Sequence, residues 1–560
     1  MSFDEFNILI GGEAGQGLVT IGELLSRAMV RSGCYILVTQ GYQSRIRGGH
    51  NTFSIRVGAD LPLAPQDELD VLVALDPETL DLHRKDLKKD GLIIASGSVG
   101  VDADGAVLVP RDMVLSGFEN TAVLGVLAFL IGIESALFEG LIRDTLGKKH
   151  PEALDENLAA FKKAYEWAKT NTSRRMDVSK TCKTDRSGRS VMLNGNQAIA
   201  LGAMSAGAKF CAFYPMTPST SVPLTLIANA DAMDLVVEQA EDEIAAINMA
   251  IGASFCGAPS MVATSGGGFA LMTEGISLAG MTETPVVIVV AQRPGPATGL
   301  PTRTEQADLE FVLHAGHGEF ARAIFAPGSI EACFHLTHRA FHLAEASQGP
   351  VFILTDQFLA DSYRAVEPFN LEGLAPVRAG AWVSDIEAPY RRYLITESGV
   401  SPRLLPGFSR HLVVADSDEH TEDGHLTEDL SVREAMVKKR FRKWTVVLKE
   451  VEPPEYHGPE APETILLTWG SSRGAGLEAG KRLRQGGESV GNLHFDQVWP
   501  LAQDQFLGRL SSAKRVVSIE GNATGQFARL IRRETGFDIK DRVLRYDGLP
   551  FTADYILERL

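Results

Sequence analysis

The run Pro285-Val-Val-Ile-Val-Val-Ala291 limits what this chain can fold into more than any other stretch. It is apolar and largely β-branched without alternation, the pattern of a strand buried on both faces. Such a strand belongs inside a parallel sheet with helices on either side. Asp70-Val-Leu-Val-Ala-Leu-Asp76 and Gly91-Leu-Ile-Ile-Ala95 carry the same signature earlier in the chain. Pro259–Thr264 and Val351–Thr355 flank the strongest run, and Thr464–Thr468 with Lys514–Glu520 repeat the theme later. Helical periodicity alternates with these strands, at about Leu18–Arg31, Glu152–Thr170, Asn196–Ala206 and Glu238–Ala253. The fold class is therefore α/β, in several doubly wound domains, because 560 residues are too many for one core.

Asn171–Arg189 is polar, basic and without periodicity, as an interdomain linker is. Gln357–His457 mixes signals and carries many charges. The cysteines Cys34, Cys182, Cys211, Cys256 and Cys333 are scattered without a CxxC pair. Neither a disulfide framework nor an iron–sulfur ligand set is expected from them, and most read as small buried apolar residues. A net charge of -17 argues against nucleic acid or an anionic membrane as the main partner, while leaving room for local basic pockets. No apolar run reaches the roughly 18 residues of a membrane span. The opening MSFDEFNILI has no basic leader, so a cytoplasmic location is expected.

Four segments could carry chemistry. The turn Gly11–Gly17 joins a strand to a helix, where Gly12, Gly15, Gln16 and Gly17 could bring backbone N–H groups to an anion. The spacing is GxxGxG, neither a Walker loop nor GxGxxG, and a tight turn without ligand is the plain alternative. Downstream, Arg45 and Arg47 lie beside Gly48 and Gly49, forming either part of a polyanion pocket or a solvated basic loop. In Tyr214-Pro-Met-Thr-Pro-Ser-Thr220, two prolines fix the backbone around Thr217, whose hydroxyl could face a ligand. Equally, the segment is a rigid connection in which Ser219 or Thr220 caps the next helix. The acidic start of Glu238–Ala253 could simply complement the helix dipole. Because the remainder is apolar, that start could also lie at an internal cleft, where a carboxylate exchanges a proton with a ligand. Finally, Gln292–Asp308 follows the strongest strand, at the carboxyl end where open α/β sheets bind ligands. Arg293 there offers a planar fork to a carboxylate. For Arg303 a structural ion pair is the better reading. Asp416–His425 looks metal-friendly but fails the EF-hand pattern, and an exposed acidic loop is expected.

Taken in order, these segments resemble the 2-oxoacid:ferredoxin oxidoreductases, in the form whose gamma and alpha parts are fused. Gly11–Gly17 with Arg47-Gly-Gly49 resembles the gamma domain. Tyr214–Thr220 resembles the family's YPITPSS, with Met216 for Ile and Thr220 for Ser. Ala240–Asn248, Thr264–Gly268, Gln292–Asp308 and Glu520-Gly-Asn-Ala-Thr-Gly-Gln526 match the alpha part, so the likeness covers nearly the whole chain. It implies a gamma domain over 1–175, a linker over 176–191 and a thiamine diphosphate pyrimidine-binding-type domain over 192–365. A connecting segment over 366–457 and a transketolase C-terminal-like domain over 458–560 follow. Glu243 would contact N1′ of the aminopyrimidine. Thr217 and Arg293 would hold the 2-oxoacid carboxylate, and Thr298 would line the side-chain pocket. The gamma domain, with Gly12, Gly15, Gln16, Gly17, Arg45 and Arg47, would receive coenzyme A.

No GDG motif followed by Asn is present, and the resemblance implies that this diphosphate–magnesium motif and a cysteine-bound 4Fe–4S cluster stand on a beta subunit. The implied reaction is reversible, coenzyme A-dependent oxidative decarboxylation of a 2-oxoacid, 2-oxoglutarate first, with reduction of ferredoxin. The expected assembly is a dimer of alpha–beta heterodimers. Pyruvate or a broad range of 2-oxoacids is the alternative substrate. A complete transketolase-like enzyme, or a non-catalytic scaffold binding coenzyme A or a nucleotide, are the rival readings.

Overall fold

The computed structural model describes residues 5–43, 49–97, 99, 106–110, 118–149, 151–173, 175, 176, 178, 182, 190–377, 386 and 389–560, the side chains of 148 and 149 excepted. The chain forms two compact units, one of residues 1–193, 361–369 and 552–555, the other of 194–360, 370–551 and 556–560.

In the first unit the expected strands pair in one sheet. Its order is Val107–Val109, Leu87–Ser96, Leu69–Ala74, Glu5–Glu13, His50–Gly58, Tyr35–Gly41, Tyr363–Val366 and Val191–Leu193. The run from Val107–Val109 to Glu5–Glu13 is parallel, as the continuous apolar pattern requires. His50–Gly58 and Tyr35–Gly41 then add antiparallel, so the sheet is mixed. The amphipathic helix Leu18–Arg31 buries Ile21, Leu24, Leu25, Ala28 and Met29 in the core of this unit. Cys34 and Cys182 are joined in a disulfide here, which corrects the expectation of unpaired cysteines. Their sequence separation of 148 leaves no local signal from which pairing could be read. Of the linker read at Asn171–Arg189, residues 174, 177, 179–181 and 183–189 lie outside the described residues.

The second unit holds two sheets. One runs Gln497–Trp499, Ala323–Phe325, Pro350–Asp356, Val286–Gln292, Ser260–Thr264, Phe210–Phe213 and Val236–Gln239, parallel apart from its antiparallel edge Gln497–Trp499. Every residue of Val286–Gln292 is buried, which is why no alternation marks it. The other sheet orders Glu455–His457, Val490–Phe495, Thr464–Trp469, Arg515–Glu520 and Asp541–Leu544. Apolar side chains of both sheets share one core that includes Phe269, Ile288, Phe352, Trp469 and Phe527.

Three local readings are corrected. The helix expected from Glu238 begins at Glu243, because Glu238 and Gln239 belong to the strand Val236–Gln239. Asp242 takes extended backbone and its carboxylate accepts Ala245 N–H at 2.7 Å, capping the helix there. Neither Ser219 nor Thr220 caps Ser221–Ile227. Thr220 makes no side-chain cap bond, and the Ser219 hydroxyl turns back to Met216 O at 2.8 Å. The loop Asp416–His425 is less exposed than expected. Glu419 binds Arg433 and Arg440, while the fully buried His420 ring lies 4.0 Å from the Tyr393 ring. Among the described residues no helix is long and apolar enough to cross a membrane.

A buried ion cluster fastens the segment after residue 370 to the first sheet domain of this unit. Glu283 and Lys439 side chains are both 0% exposed and meet at 2.6 Å, and Lys443 Nζ reaches the same carboxylate at 2.6 Å. Arg392 donates to the Glu283 carbonyl at 2.7 Å. Burial alone would raise the Glu283 pKa, but Lys443, Lys439 and Arg392 outweigh it and hold the carboxyl down to about 2. Removing one member of such a cluster strands uncompensated buried charge. Glu283→Gln is therefore expected to cost about 3–5 kcal/mol of stability, read as a lowered urea midpoint.

Candidate active site

The site assembles at the carboxyl ends of Phe210–Phe213, Val236–Gln239, Ser260–Thr264 and Val286–Gln292, all in the second unit. Glu243 opens its helix and is 3% exposed, yet its Oε1 has no hydrogen-bond partner among the described residues. An orphaned buried carboxyl oxygen carries a desolvation cost that a donor from a ligand would relieve. Beside it, the helix Gly266–Leu271 that follows Ser260–Thr264 places Gly268 so close that a side-chain carbon there would run into both Thr264 Oγ1 and Glu243 Oε1. Among the described residues the buried Ser265 hydroxyl also lacks a partner.

Thr217 sits on the next turn, before a cis peptide bond to Pro218. Asn196, fully buried, braces this turn by donating to Pro218 O at 2.8 Å and to Ser221 Oγ at 2.7 Å. Arg293 donates to Thr217 O at 2.6 Å, so the two residues the sequence singled out come together. Burial lowers the Arg293 pKa from its ordinary value. Among the described residues neither Arg293 nor Arg303 meets a carboxylate, which corrects the ion pair expected for Arg303. That side chain packs instead along Gly548. Thr298 lies on the exposed tip of the loop, residues 295–300.

The base of this loop is closed by an amide. Gln292 donates to Thr355 O at 3.1 Å and accepts Asp308 N–H at 2.9 Å. Asp308 abuts Gly266, where a side-chain carbon would lie 2.5 Å from Asp308 Oδ2. Sequence reasoning did not single out Gly268, Ser265, Asn196 or Asp308. Ser265 and Gly268 stood inside the marked segment Thr264–Gly268 and Asp308 inside Gln292–Asp308, but nothing in the spacing distinguished these residues from their neighbours.

In the first unit, Gly15 and Gly17 take φ of 100° and 75°, the left-handed conformation that favours glycine. Gly17 starts Leu18–Arg31, and a side chain there would strike Asn120. Gln16 folds back so that its Oε1 accepts Glu13 N–H at 2.8 Å, and a side-chain carbon at Gly12 would lie 2.5 Å from that oxygen. The turn is thus shaped by glycine at each of these positions. Arg45 and Arg47 lie outside the described residues.

Two sequence families match the chain: "Pyruvate ferredoxin/flavodoxin oxidoreductase" over residues 7–167, and "Pyruvate flavodoxin/ferredoxin oxidoreductase, thiamine diP-bdg" over residues 201–439. Both matches thus fall within one class, the ferredoxin- or flavodoxin-linked 2-oxoacid oxidoreductases, and the second is a thiamine diphosphate-binding domain. A 2-oxoacid:ferredoxin oxidoreductase subunit alpha from Sulfolobus is 31% identical, covering 99% of this chain and 96% of its own. The 2-oxoglutarate oxidoreductase subunit KorA of Mycobacterium tuberculosis is 27% identical over 98% of this chain and 90% of its own. A solved structure of 2-oxoglutarate:ferredoxin oxidoreductase from Magnetococcus marinus, with 2-oxoglutarate, coenzyme A and succinyl-CoA bound, superposes with a TM-score of 0.91. It shares 31% identity, with 100% of this chain and 99% of that one covered. The chain belongs to the 2-oxoacid:ferredoxin oxidoreductase family, as an alpha subunit.

Burial raises the Asp308 carboxyl from its ordinary 3.8 to about 6. Above pH 6 the folded chain therefore bears the cost of ionising it, and the cost fades as falling pH approaches 3.8, where the unfolded chain also takes up the proton. Asp308→Asn should thus stabilise the chain by about 1–2 kcal/mol more at pH 8 than at pH 4.5, measured by urea unfolding at both values.

Proposed function

We propose that this chain is the catalytic alpha subunit, gamma and alpha parts fused, of an enzyme that oxidatively decarboxylates 2-oxoglutarate. The reaction is reversible, consumes coenzyme A, releases CO2 and reduces ferredoxin. The observation that carries the reading is the buried Glu243 Oε1, without a partner among the described residues, facing Gly268 at the same end of the sheet as the Thr217–Arg293 pair. A carboxyl so placed fits the ring nitrogen of an aminopyrimidine, which offers it the missing partner. Gly268 leaves the room that any larger residue would fill.

Thiamine diphosphate, when bound, supplies the electron sink for decarboxylation. The chain's own residues do the rest. Glu243 holds and exchanges a proton at the aminopyrimidine N1′. Arg293, which meets no carboxylate among the described residues, presents its guanidinium to the 2-oxoacid carboxylate, and Thr217 adds its hydroxyl. Thr298 borders the substrate's side chain. In the first unit Gly12, Gly15, Gln16 and Gly17, together with Arg45 and Arg47, receive coenzyme A. The bound coenzyme A and succinyl-CoA of the Magnetococcus enzyme support that reading.

A beta subunit would supply the diphosphate and magnesium site and the 4Fe–4S cluster, in a dimer of heterodimers. Ile244 and Met249, on the helix that Glu243 opens, are exposed apolar side chains, which supports a protein partner beside it.

The test is dye reduction by the chain co-expressed anaerobically with its cluster-bearing partner. Coenzyme A-dependent reduction of a low-potential viologen by 2-oxoglutarate, absent for the lone chain, is the expected result. Preference for pyruvate would overturn the substrate alone. No reduction with any 2-oxoacid, from a complex holding cluster and thiamine diphosphate, would sink the reading. Glu243→Gln should cut turnover at least about 100-fold while the subunits still co-purify.

A further inference from the structure

We infer that the segment Glu520–Gln526 is a positioning element for the 2-oxoacid, acting through Gln306 and Gln526 on the loop that begins at Arg293. The inference rests on the proposed function, since it concerns how that substrate loop is held.

Glu520 ends the strand Arg515–Glu520 and is fully buried. Its carboxylate accepts Phe527 N–H at 2.8 Å and Ala528 N–H at 2.9 Å, satisfying the orphan amides that open the helix Gln526–Thr535. Trp469 Nε1, Asn522 Nδ2 and the Ser518 hydroxyl donate to it as well. A glycine-bearing turn between strand and helix often receives an anionic ligand at the helix start. Here the chain's own carboxylate already occupies those donors, so the segment has another use.

That use is visible in Gln306, which is 2% exposed. Its side chain accepts Gly521 N–H at 2.8 Å and donates to Trp469 O at 2.9 Å. Its backbone N–H donates to Gly521 O, and its carbonyl accepts from Asn522 Nδ2 at 3.2 Å. Both backbone groups and both side-chain atoms of this loop residue therefore bond to the C-terminal sheet domain. Gln526 repeats the pattern one step on, donating to Ala307 O at 2.6 Å and accepting Glu310 N–H at 3.0 Å. Thr304 N–H reaches Gly548 O at 3.1 Å.

Besides the closure of its base by Gln292 and the bond from Thr304 Oγ1 to Asp356 at 3.2 Å, the loop is thus held on both legs. Arg293 anchors one leg on Thr217, and the C-terminal domain holds the other from Thr304 to Ala307, with residues 295–300 exposed between them. Arg293 and Thr298 can meet a substrate in one fixed geometry only while both legs are held. Neutral amides make the second attachment, so it does not titrate with Asp308.

Gln526 is half-buried, and its loss should leave the fold intact. In the complex with the beta subunit, Gln526→Ala is expected to raise KM for the 2-oxoacid about tenfold with a smaller change in kcat. Thiamine diphosphate affinity should be unchanged. Amide hydrogen exchange over residues 304–310 should quicken, while that over 260–264 does not. Gln526→Glu keeps the acceptor for Glu310 N–H but loses the donor to Ala307, and should fall between wild type and Gln526→Ala. Unchanged exchange would overturn the attachment. Faster exchange with an unchanged KM would overturn the positioning role. A wild-type complex without 2-oxoacid turnover would overturn the functional reading and this role with it, and is distinguished because it appears before any substitution is made.

Discussion

The candidate site hangs from one amide side chain at the end of one strand. Val286–Gln292 is buried throughout, and its last residue spends its two polar atoms on Thr355 O and Asp308 N–H. Those bonds bring the far end of a long loop back to its origin. Arg293 then projects beside Thr217, and Asp308 presses on the turn that also shapes the surroundings of Glu243. Without a closed base, the loop would be an exposed polar connection with no preferred form. With it, cation, hydroxyl and buried carboxyl gather at the carboxyl edge of one sheet, where the strand dipoles and open ends of the fold already favour a ligand.

Much of this was legible in the residues because it depends on local pattern. Continuous apolar runs located most of the strands they marked to within a residue or two, since a strand buried on both faces leaves no other pattern, whereas the strand read at Gly91–Ala95 begins four residues earlier, at Leu87. Thr217, Glu243 and Arg293 stood in segments whose composition was odd for their surroundings: paired prolines, an acidic start to an apolar helix, an arginine directly after the strongest strand. What escaped notice depends on distance. Gly521 and Ala307 meet their amide partners across separations of 215 and 219 residues, and no periodicity encodes that. The start of the Glu243 helix escaped for a different reason. Glu238 and Gln239 have fair helical propensity, and the neighbouring strand overrides it. Cys34 and Cys182 show the same limit, because nothing near either residue marks the other.

The charged and the neutral attachments of the second unit divide the work. Around Glu283, opposite charges without solvent fix a segment of irregular structure against a regular sheet, an arrangement that tolerates no missing member. Around Gln306 and Gln526 the joints are amide to backbone, individually modest and indifferent to pH. The first kind of contact holds the unit together, and the second kind sets the position of a loop within it.

The Glu283 cluster also bears on how such proteins can diverge. Its members are far apart in the chain, 156 residues separating Glu283 from Lys439, yet each buried charge depends on the others for compensation. A drift at any one position is harmful until a second position follows, so the set changes jointly or hardly at all. Chimeras between relatives face the same condition. A connecting segment transplanted with Arg392, Lys439 and Lys443 must arrive in a host that already carries an acid at 283, and a host lacking it would receive three buried cations and no counter-ion.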